Sequence, residues 1–171
     1  MVNIGVDSIN IRSAEKEDIS SLVKFNILMA RETENKELIP EVISLGVKNL
    51  LENLQLGFYI VAENKDEIIA SLMITTEWSD WRNGSFWWVQ SVYVKPEWRK
   101  RSVYRRLYDY VKDLADKDEN ICGYRLYVEK ANTIAQQTYK KVGMNDTNYM
   151  MFEELKPSLK YLEAKVKQVV N

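Results

Sequence analysis

Residues 92–107 read VYVKPEWRKRSVYRRL and carry most of the information on the fold. Val92 and Val94 close a run of aromatic and β-branched residues, which is typical of a strand. Pro96 stops that strand, and a period of three to four between apolar residues, which predicts a helix, begins at Ser102. A strand, a short turn and a helix are therefore expected in succession here.

Five cations, Arg99, Lys100, Arg101, Arg105 and Arg106, surround the predicted start of this helix. Positive charge at a helix N-terminus is unfavourable by about 0.3–1 kcal/mol for each well-placed charge. The free N–H groups of the first helical turn bind anions at the same place. The cluster indicates either a phosphate site or a solvated basic surface, and the charge pattern alone does not separate the two.

Composition excludes several classes of function. The chain has 171 residues, which predicts one domain, and 24 basic against 25 acidic residues, which argues against a dedicated nucleic-acid binder.

The absence of histidine excludes Ser–His–Asp and Cys–His catalysis and every imidazole zinc site, so no metal is expected. The single cysteine, Cys122, excludes an intrachain disulfide. No apolar run approaches the roughly 18 residues of a membrane span, and a cytoplasmic protein is predicted.

Hydrophobic periodicity predicts a mixed α/β domain. Strands are expected at 8–12, 58–62, 68–76, 85–94, 124–128 and 148–152, and helices at 19–30, 41–54, 102–117, 132–142 and 158–170. Asn132 is a candidate N-cap for the fourth helix, and Gly143 stands where a glycine often ends a helix.

Two motifs together resemble the GNAT superfamily of acyl-CoA-dependent N-acyltransferases. The first, Arg/Gln-x-x-Gly-x-Gly/Ala after the fourth strand, corresponds to Arg99, Ser102 and Tyr104. The second, Asn-x-x-Ala-x-x-x-Tyr-x-x-x-Gly, has its full spacing in this chain, at Asn132, Ala135, Tyr139 and Gly143. Two motifs in order, about 30 residues apart, are more specific than either alone.

The resemblance implies a GNAT-like domain over residues 1–155, and the apolar period at 158–170 predicts that an amphipathic helix at 156–171 follows and packs on the domain or at a dimer interface. The implied sheet is mixed and mostly antiparallel, with about six to seven strands, splayed fourth and fifth strands, and four flanking helices. Acetyl-CoA is the implied co-substrate. The implied cofactor-binding residues are Val92, Tyr93, Val94, Arg99, Lys100, Arg101, Ser102, Val103, Tyr104 and Asn132.

The first motif has glycine at one position and glycine or alanine at another, and this chain has Ser102 and Tyr104 there. Serine at 102 is small, and its hydroxyl could bond a phosphate or cap the helix. The bulkier ring of Tyr104 would either crowd the cofactor or lie along its pantetheine arm.

Tyr139 matches the residue that, by resemblance, protonates the departing thiolate. Without histidine, the proton acceptor must be a carboxylate, a tyrosine or a held water. Glu77 and Glu32 are favoured over Glu34 and over a water held by Gln90 and Ser91.

The Trp-rich hairpin at 77–88 suits a cationic amine or simply covers the sheet, with Trp87 and Trp88 on opposite faces. The leading prediction is an N-acetyltransferase acting on the primary amine of a small molecule or peptide. The alternatives are a non-catalytic acyl-CoA-binding module and a binder of nucleic acid or phosphoprotein.

Overall fold

The computed structural model describes residues 8–163. Within this range the chain forms five strands and four α-helices, joined by loops and short 3₁₀ turns. They are, in chain order, β1 (Ile9–Ser13), α1 (Ile19–Glu34), α2 (Pro40–Glu52), β2 (Phe58–Asn64), β3 (Glu67–Ser79), β4 (Gly84–Val94), α3 (Val103–Ala115), β5 (Ile121–Arg125) and α4 (Thr133–Lys141). No helix among these is long and apolar enough to cross a membrane.

The strands form a single mixed sheet in the order β1-β2-β3-β4-β5. The first four are antiparallel neighbours, and β5 pairs with β4 in parallel. Residues 58–62 and 68–74 are almost all apolar, as expected of strands that are covered on both faces. The mixed, mostly antiparallel sheet is confirmed.

Two apolar clusters cover the two faces of the sheet. Leu22 and Phe25 of α1, with Val47 of α2, pack on the face that carries Tyr59, Val61 and Tyr93. Val103, Leu107 and Val111 of α3 pack on the opposite face, against residues that include Ile60, Leu72, Ile74 and Val89. Because side chains alternate along a strand, neighbours such as Tyr59 and Ile60 contribute to different clusters.

A bulge interrupts β4 near its C-terminal end. Ser91 has a left-handed φ of 48°, and the pairing with β3 jumps from Met73–Gln90 to Ser71–Tyr93. Pairing with β5 has already ended, at Trp88–Arg125. The splay predicted between the fourth and fifth strands is therefore present, and residues 89–94 have no partner on the β5 side within the described residues 8–163.

The sheet has five strands, so the prediction of six to seven was wrong. Residues 148–152, predicted as a strand, are exposed and pair with no strand of the described part of the chain. A short apolar run such as 149–152 is consistent with a strand, but the run itself does not determine whether the segment pairs with a neighbour. The strand predicted at 124–128 lies three residues earlier, at Ile121–Arg125.

Four helices were predicted before the C-terminal segment, and all four are present. The Asn132 side chain caps α4 by accepting a hydrogen bond from the Ala135 amide at 3.1 Å, and Gly143 has a φ of 96°. Of the predicted C-terminal helix, residues 158–163 are not helical, and an isolated bridge joins Leu162 to Leu38. Residues 164–171 lie outside the described part of the chain.

Gly57 has no room for a side chain. Its φ is 143°, and a Cβ atom there would lie 2.0 Å from the Ile74 carbonyl oxygen. We expect Gly57→Ala to lower the free energy of unfolding by at least about 2 kcal/mol, because strain and a backbone clash act together. Urea denaturation measures this loss.

Gly46, on the exposed side of α2, is the matched control, because nothing lies within 4 Å of its Cβ position. Gly46→Ala should raise the free energy of unfolding by about 0.5–1 kcal/mol through helix propensity. Equal effects of the two substitutions would contradict the packing described for Gly57.

Candidate active site

The loop that joins β4 to α3 presents a row of unused backbone donors. Lys100 and Ser102 have left-handed φ values of 61° and 59°. Within residues 8–163, the amides of residues 100–104 donate to no backbone or side-chain acceptor. Successive N–H groups in such a conformation form an anion-binding concavity, and here they adjoin the N-terminus of α3.

The five cations predicted around this loop are not all directed at it. Arg105 donates to the Lys141 carbonyl at the end of α4 (2.9 Å), and Arg106 donates to the Ile9 carbonyl of β1 (3.1 Å). Arg101 lies over the Trp98 ring, 5.5 Å from its centroid, and Lys100 is exposed. Arg105 and Arg106 therefore tie α3 to neighbouring elements.

Ser102 takes the glycine position of the first motif. Its φ of 59° explains why glycine is usual there, since a side chain in this conformation costs about 1–2 kcal/mol. Ser102 occupies the N-cap position of α3 but makes no side-chain capping bond. Its hydroxyl therefore does not cap the helix.

The Tyr104 ring points into the core. It is 8% exposed, stacks on Tyr108 with centroids 6.1 Å apart, and meets Tyr139 edge-to-face at 5.4 Å. The ring was expected either to crowd the cofactor or to lie along its pantetheine arm. It does neither in this structure, because the ring packs between α3 and α4, on the core side of the loop. Its hydroxyl is buried without a hydrogen-bond partner among the described residues, and burial raises the pKa of Tyr104 far above its ordinary value.

The three predicted cofactor residues on β4 differ in availability. Tyr93 is buried and packs on Phe25, with ring centroids 4.9 Å apart. The Val94 carbonyl accepts a hydrogen bond from Arg99 Nε at 2.9 Å. Val92 is only partly buried, and it lies on the stretch that has no partner on the β5 side.

Arg99 and Glu32 were predicted separately, as a phosphate ligand and a base, and they contact each other. Arg99 Nη2 lies 2.6 Å from Glu32 Oε2, and the Tyr93 hydroxyl donates to Glu32 Oε1 at 3.2 Å. The Arg99 guanidinium also lies over the Tyr93 ring, 5.5 Å from its centroid. The end of α1, the end of β4 and the start of the loop are thereby joined.

Glu77, the other predicted base, is held in an ion pair. It accepts from Trp88 Nε1 at 2.5 Å and from Arg125 Nη1 at 2.7 Å. Partial burial acts to raise the pKa of Glu77, but the bonds from Trp88 and Arg125 outweigh it and hold the pKa below the ordinary value of 4.5. A carboxylate with a lowered pKa is a weaker proton acceptor.

A polar and aromatic network continues from Glu77 across the same face of the sheet. The Trp88 and Tyr127 rings lie 6.1 Å apart, the Tyr127 hydroxyl donates to Gln90 Oε1 at 3.1 Å, and Gln90 Nε2 donates to Thr75 Oγ1 at 2.5 Å. Arg125 and Tyr127 were not among the residues predicted from the sequence. Only the parallel register of β4 and β5, which no local pattern indicates, places residue 125 beside Trp88.

The tryptophans of the hairpin divide as the alternation predicts. Trp87 is buried in the cluster under α3, whereas Trp88 takes part in the network on the other face. Trp78 and Trp81 are 60% and 85% exposed. Only Trp88 of the four therefore belongs to the candidate site.

Tyr139 and Asn132 lie on α4. Tyr139 is half-buried against Tyr104, and burial raises its pKa. The Asn132 side chain is used as the helix cap, so its predicted role in cofactor binding has a structural alternative. Within the described ranges, no group of three or more Cys, Asp and Glu residues is placed to hold a metal ion.

The left-handed conformation of Ser102 leads to a stability prediction. Ser102→Gly should raise the free energy of unfolding by about 1 kcal/mol, since glycine adopts this φ without strain. Ser102→Ala should have almost no effect, because the hydroxyl caps nothing and the strain remains. Chemical denaturation of both variants measures the difference, and equal stabilities would argue against the assigned backbone conformation.

The Glu77 ion pair leads to a pH prediction. Because the pKa of Glu77 is lower in the folded chain, its contribution to stability is present above about pH 4.5 and is lost as the pH falls below that value. Glu77→Gln should therefore destabilise the protein at pH 7 more than at pH 3 in thermal denaturation. The control Glu119→Gln, in the exposed turn before β5, should change little at either pH. A pH-independent effect of Glu77→Gln would count against the pair.

Comparisons with known proteins agree with this geometry. A crystal structure of a possible acetyltransferase from Clostridium difficile 630 is 47% identical, with a TM-score of 0.81, over 86% of this chain and 97% of that chain. A predicted acetyltransferase from Clostridium acetobutylicum, solved with acetyl-CoA, is 26% identical, with a TM-score of 0.70, over 85% of this chain and 96% of that chain.

The aminoglycoside N-acetyltransferase AAC(6′)-Iy in complex with CoA, 13% identical with a TM-score of 0.70, covers 86% of this chain and 95% of its own and shares the fold. No curated protein sequence matches the chain. The sequence profile of the acetyltransferase (GNAT) family matches residues 24–144. The resemblance read from the two motifs is thus confirmed, and the chain belongs to the GNAT acetyltransferase family.

Proposed function

We propose that this protein is an N-acetyltransferase that moves an acetyl group from acetyl-CoA to a primary amine of a small molecule or an exposed amino group. One observation carries the proposal: among the residues that the structure describes, the β5-side edge of β4 is unpaired and leads directly into a loop whose amides, at residues 100–104, have no acceptor. An extended arm can pair with such an edge as an added strand does, and a diphosphate suits the amides.

The residues present fit acetyl-CoA. The amides of residues 100–104 would bind the diphosphate, and Lys100 and Arg101 would neutralise part of its charge. Val92, on the open part of β4, would pair with the pantetheine arm. The core position of the Tyr104 ring leaves the loop unobstructed. A structure with acetyl-CoA bound, at 26% identity, adds support.

The reaction forms a C–N bond and breaks the C–S bond of the thioester, while the amine loses a proton and the thiolate gains one. Tyr139 would donate the proton to the sulfur. Burial raises the pKa of the Tyr139 phenol, so the group holds its proton at neutral pH and transfers it to the thiolate at a higher free-energy cost than an exposed phenol would.

Glu32 and Glu77 remain the proposed proton acceptors for the amine, and the contacts favour Glu32. Glu77 is bonded through both carboxylate oxygens and has a lowered pKa. Glu32 is also bonded through both oxygens, to Arg99 and to Tyr93, but its cationic partner directly precedes the loop whose free amides would bind an anion. Glu32 is therefore the carboxylate that can be freed more readily.

The acceptor that this face suits is a cationic amine. The rings of Trp88 and Tyr127 lie near one another. Burial raises the pKa of Tyr127, and the negative charges of Glu34 and Glu153 nearby add to the increase. Aromatic faces beside carboxylates attract ammonium groups. The fold is shared with an aminoglycoside N-acetyltransferase, whose substrates are small-molecule amines. We place the reaction in the cytoplasm, on the sequence grounds given above.

Thermal denaturation with acetyl-CoA, together with thiol release across a panel of amines, tests the function. A ligand at 100 times its dissociation constant should add about 2.7 kcal/mol to the free energy of unfolding. A shift with CoA release supports the transferase. A shift without CoA release on any amine would favour the non-catalytic acyl-CoA-binding module, and no shift would exclude both.

Tyr139→Phe tests the acid. We expect kcat to fall by roughly 10²-fold, the usual size of a general-acid contribution, with the dissociation constant of CoA unchanged. Tyr108→Phe is the matched control, because Tyr108 is another core tyrosine in contact with Tyr104. Steady-state kinetics that show the same kcat for Tyr139→Phe as for the control would remove Tyr139 from this role.

A further inference from the structure

The cation that leads into the anion-binding loop is occupied elsewhere. Arg99 directly precedes the free amides of residues 100–104, yet its guanidinium pairs with Glu32 at 2.6 Å and donates to the Val94 carbonyl. The loop and the end of α1 thus share one cation. An anion bound at the loop would compete with Glu32 for it.

The contact between Arg99 and Glu32 is of a kind that exchanges easily. Their side chains are 44% and 37% exposed, and exposed ion pairs contribute little to stability because water screens them. A diphosphate carries more negative charge than one carboxylate and matches the forked geometry of a guanidinium. Arg99 would therefore gain by changing partner once a diphosphate occupies the loop.

Glu32 keeps a second contact when Arg99 leaves. The Tyr93 hydroxyl donates to Glu32 Oε1, whereas Arg99 binds Oε2. Tyr93 is itself buried against Phe25 of α1. The carboxylate would thus stay fixed over β4 while one of its oxygens became free.

The two other carboxylates considered as proton acceptors, Glu34 and Glu77, are not paired with a cation of the loop. Glu34 pairs with Lys36 at 2.5 Å, and Glu77 pairs with Arg125 at 2.7 Å; neither cation belongs to the loop. Binding of an anion at the loop would leave both pairs in place. Glu32 is the one of these three carboxylates whose partner adjoins the free amides.

We propose that Arg99 exchanges Glu32 for the cofactor diphosphate, so that binding of CoA at the loop releases Glu32 as an unpaired carboxylate for the cationic acceptor. This inference rests on the proposed function and adds the order in which the two substrates bind. The acetyl donor prepares the amine site before the amine arrives. Arg99 acts as a positioning residue for Glu32 in the absence of CoA and as an anion ligand in its presence.

Isothermal titration of CoA into Glu32→Gln tests the exchange. The substitution removes the charge that competes for Arg99, so CoA should bind about 2- to 5-fold more tightly than to the wild-type protein, as expected for a weak exposed pair. Glu34→Gln is the matched control. It removes a carboxylate two residues further on, which does not contact Arg99, and should change the dissociation constant much less.

The double variant completes the test. Arg99→Ala should weaken CoA binding, and adding Glu32→Gln in that background should give no further change, because the two residues act through one contact. Thermal denaturation shows whether each variant is folded.

The outcomes separate this inference from the function on which it rests. Failure of the wild-type protein to bind CoA would overturn the proposed function. Normal binding by the wild-type protein, with equal or weaker binding by Glu32→Gln, would overturn the exchange alone. The exchange would also be wrong if Glu34→Gln tightened binding equally, or if the gain persisted without Arg99.

Discussion

The candidate site depends on the point at which β4 and β5 stop pairing. Up to Trp88 and Arg125 the two strands form a parallel ladder, and beyond that pair β4 continues to Val94 paired with β3 on its other side. Unpaired backbone groups are costly when buried, so such an edge persists only where water or a ligand can reach it. The bulge at Ser91 shifts the register with β3 at the same end. Together the two breaks turn an ordinary strand end into an accessible edge beside the N-terminus of α3.

Ion pairing determines the chemistry on the face that carries α1. Glu32, Glu34 and Glu77 are each bonded to a different cation, and the pKa of Glu77 is lowered as a result. Glu77 is thereby stabilised in its charged form and removes a proton from an amine less readily. Proton removal on this face is therefore linked to which partner each carboxylate holds.

Most of the fold could be predicted from the sequence, because the apolar periods and the two motifs depend on residues that are close together in the chain. The helix cap at Asn132, the strand from 85 to 94 and the loop before α3 each follow from neighbouring residues. The contacts across the sheet did not follow, because the pairing of Arg125 with Glu77 and of Arg99 with Glu32 depends on strand register and helix packing. The direction of the Tyr104 ring was equally hidden, since a tyrosine near a helix start can face either the loop or the core. The exposed segment at 148–152 shows the converse, an apolar run typical of a strand that forms no strand among the described residues.

The serine in the loop has a consequence beyond strain. A glycine at position 102 would leave the loop with many backbone conformations, and a ligand would have to order them. Serine has fewer accessible conformations, so less conformational entropy is lost when the loop is fixed. Ser102 and Lys100 have the left-handed conformation in the folded chain, where their side chains restrict the backbone more than glycine would, so the loop is preorganised. Part of the entropic cost of binding an anion is thereby met during folding.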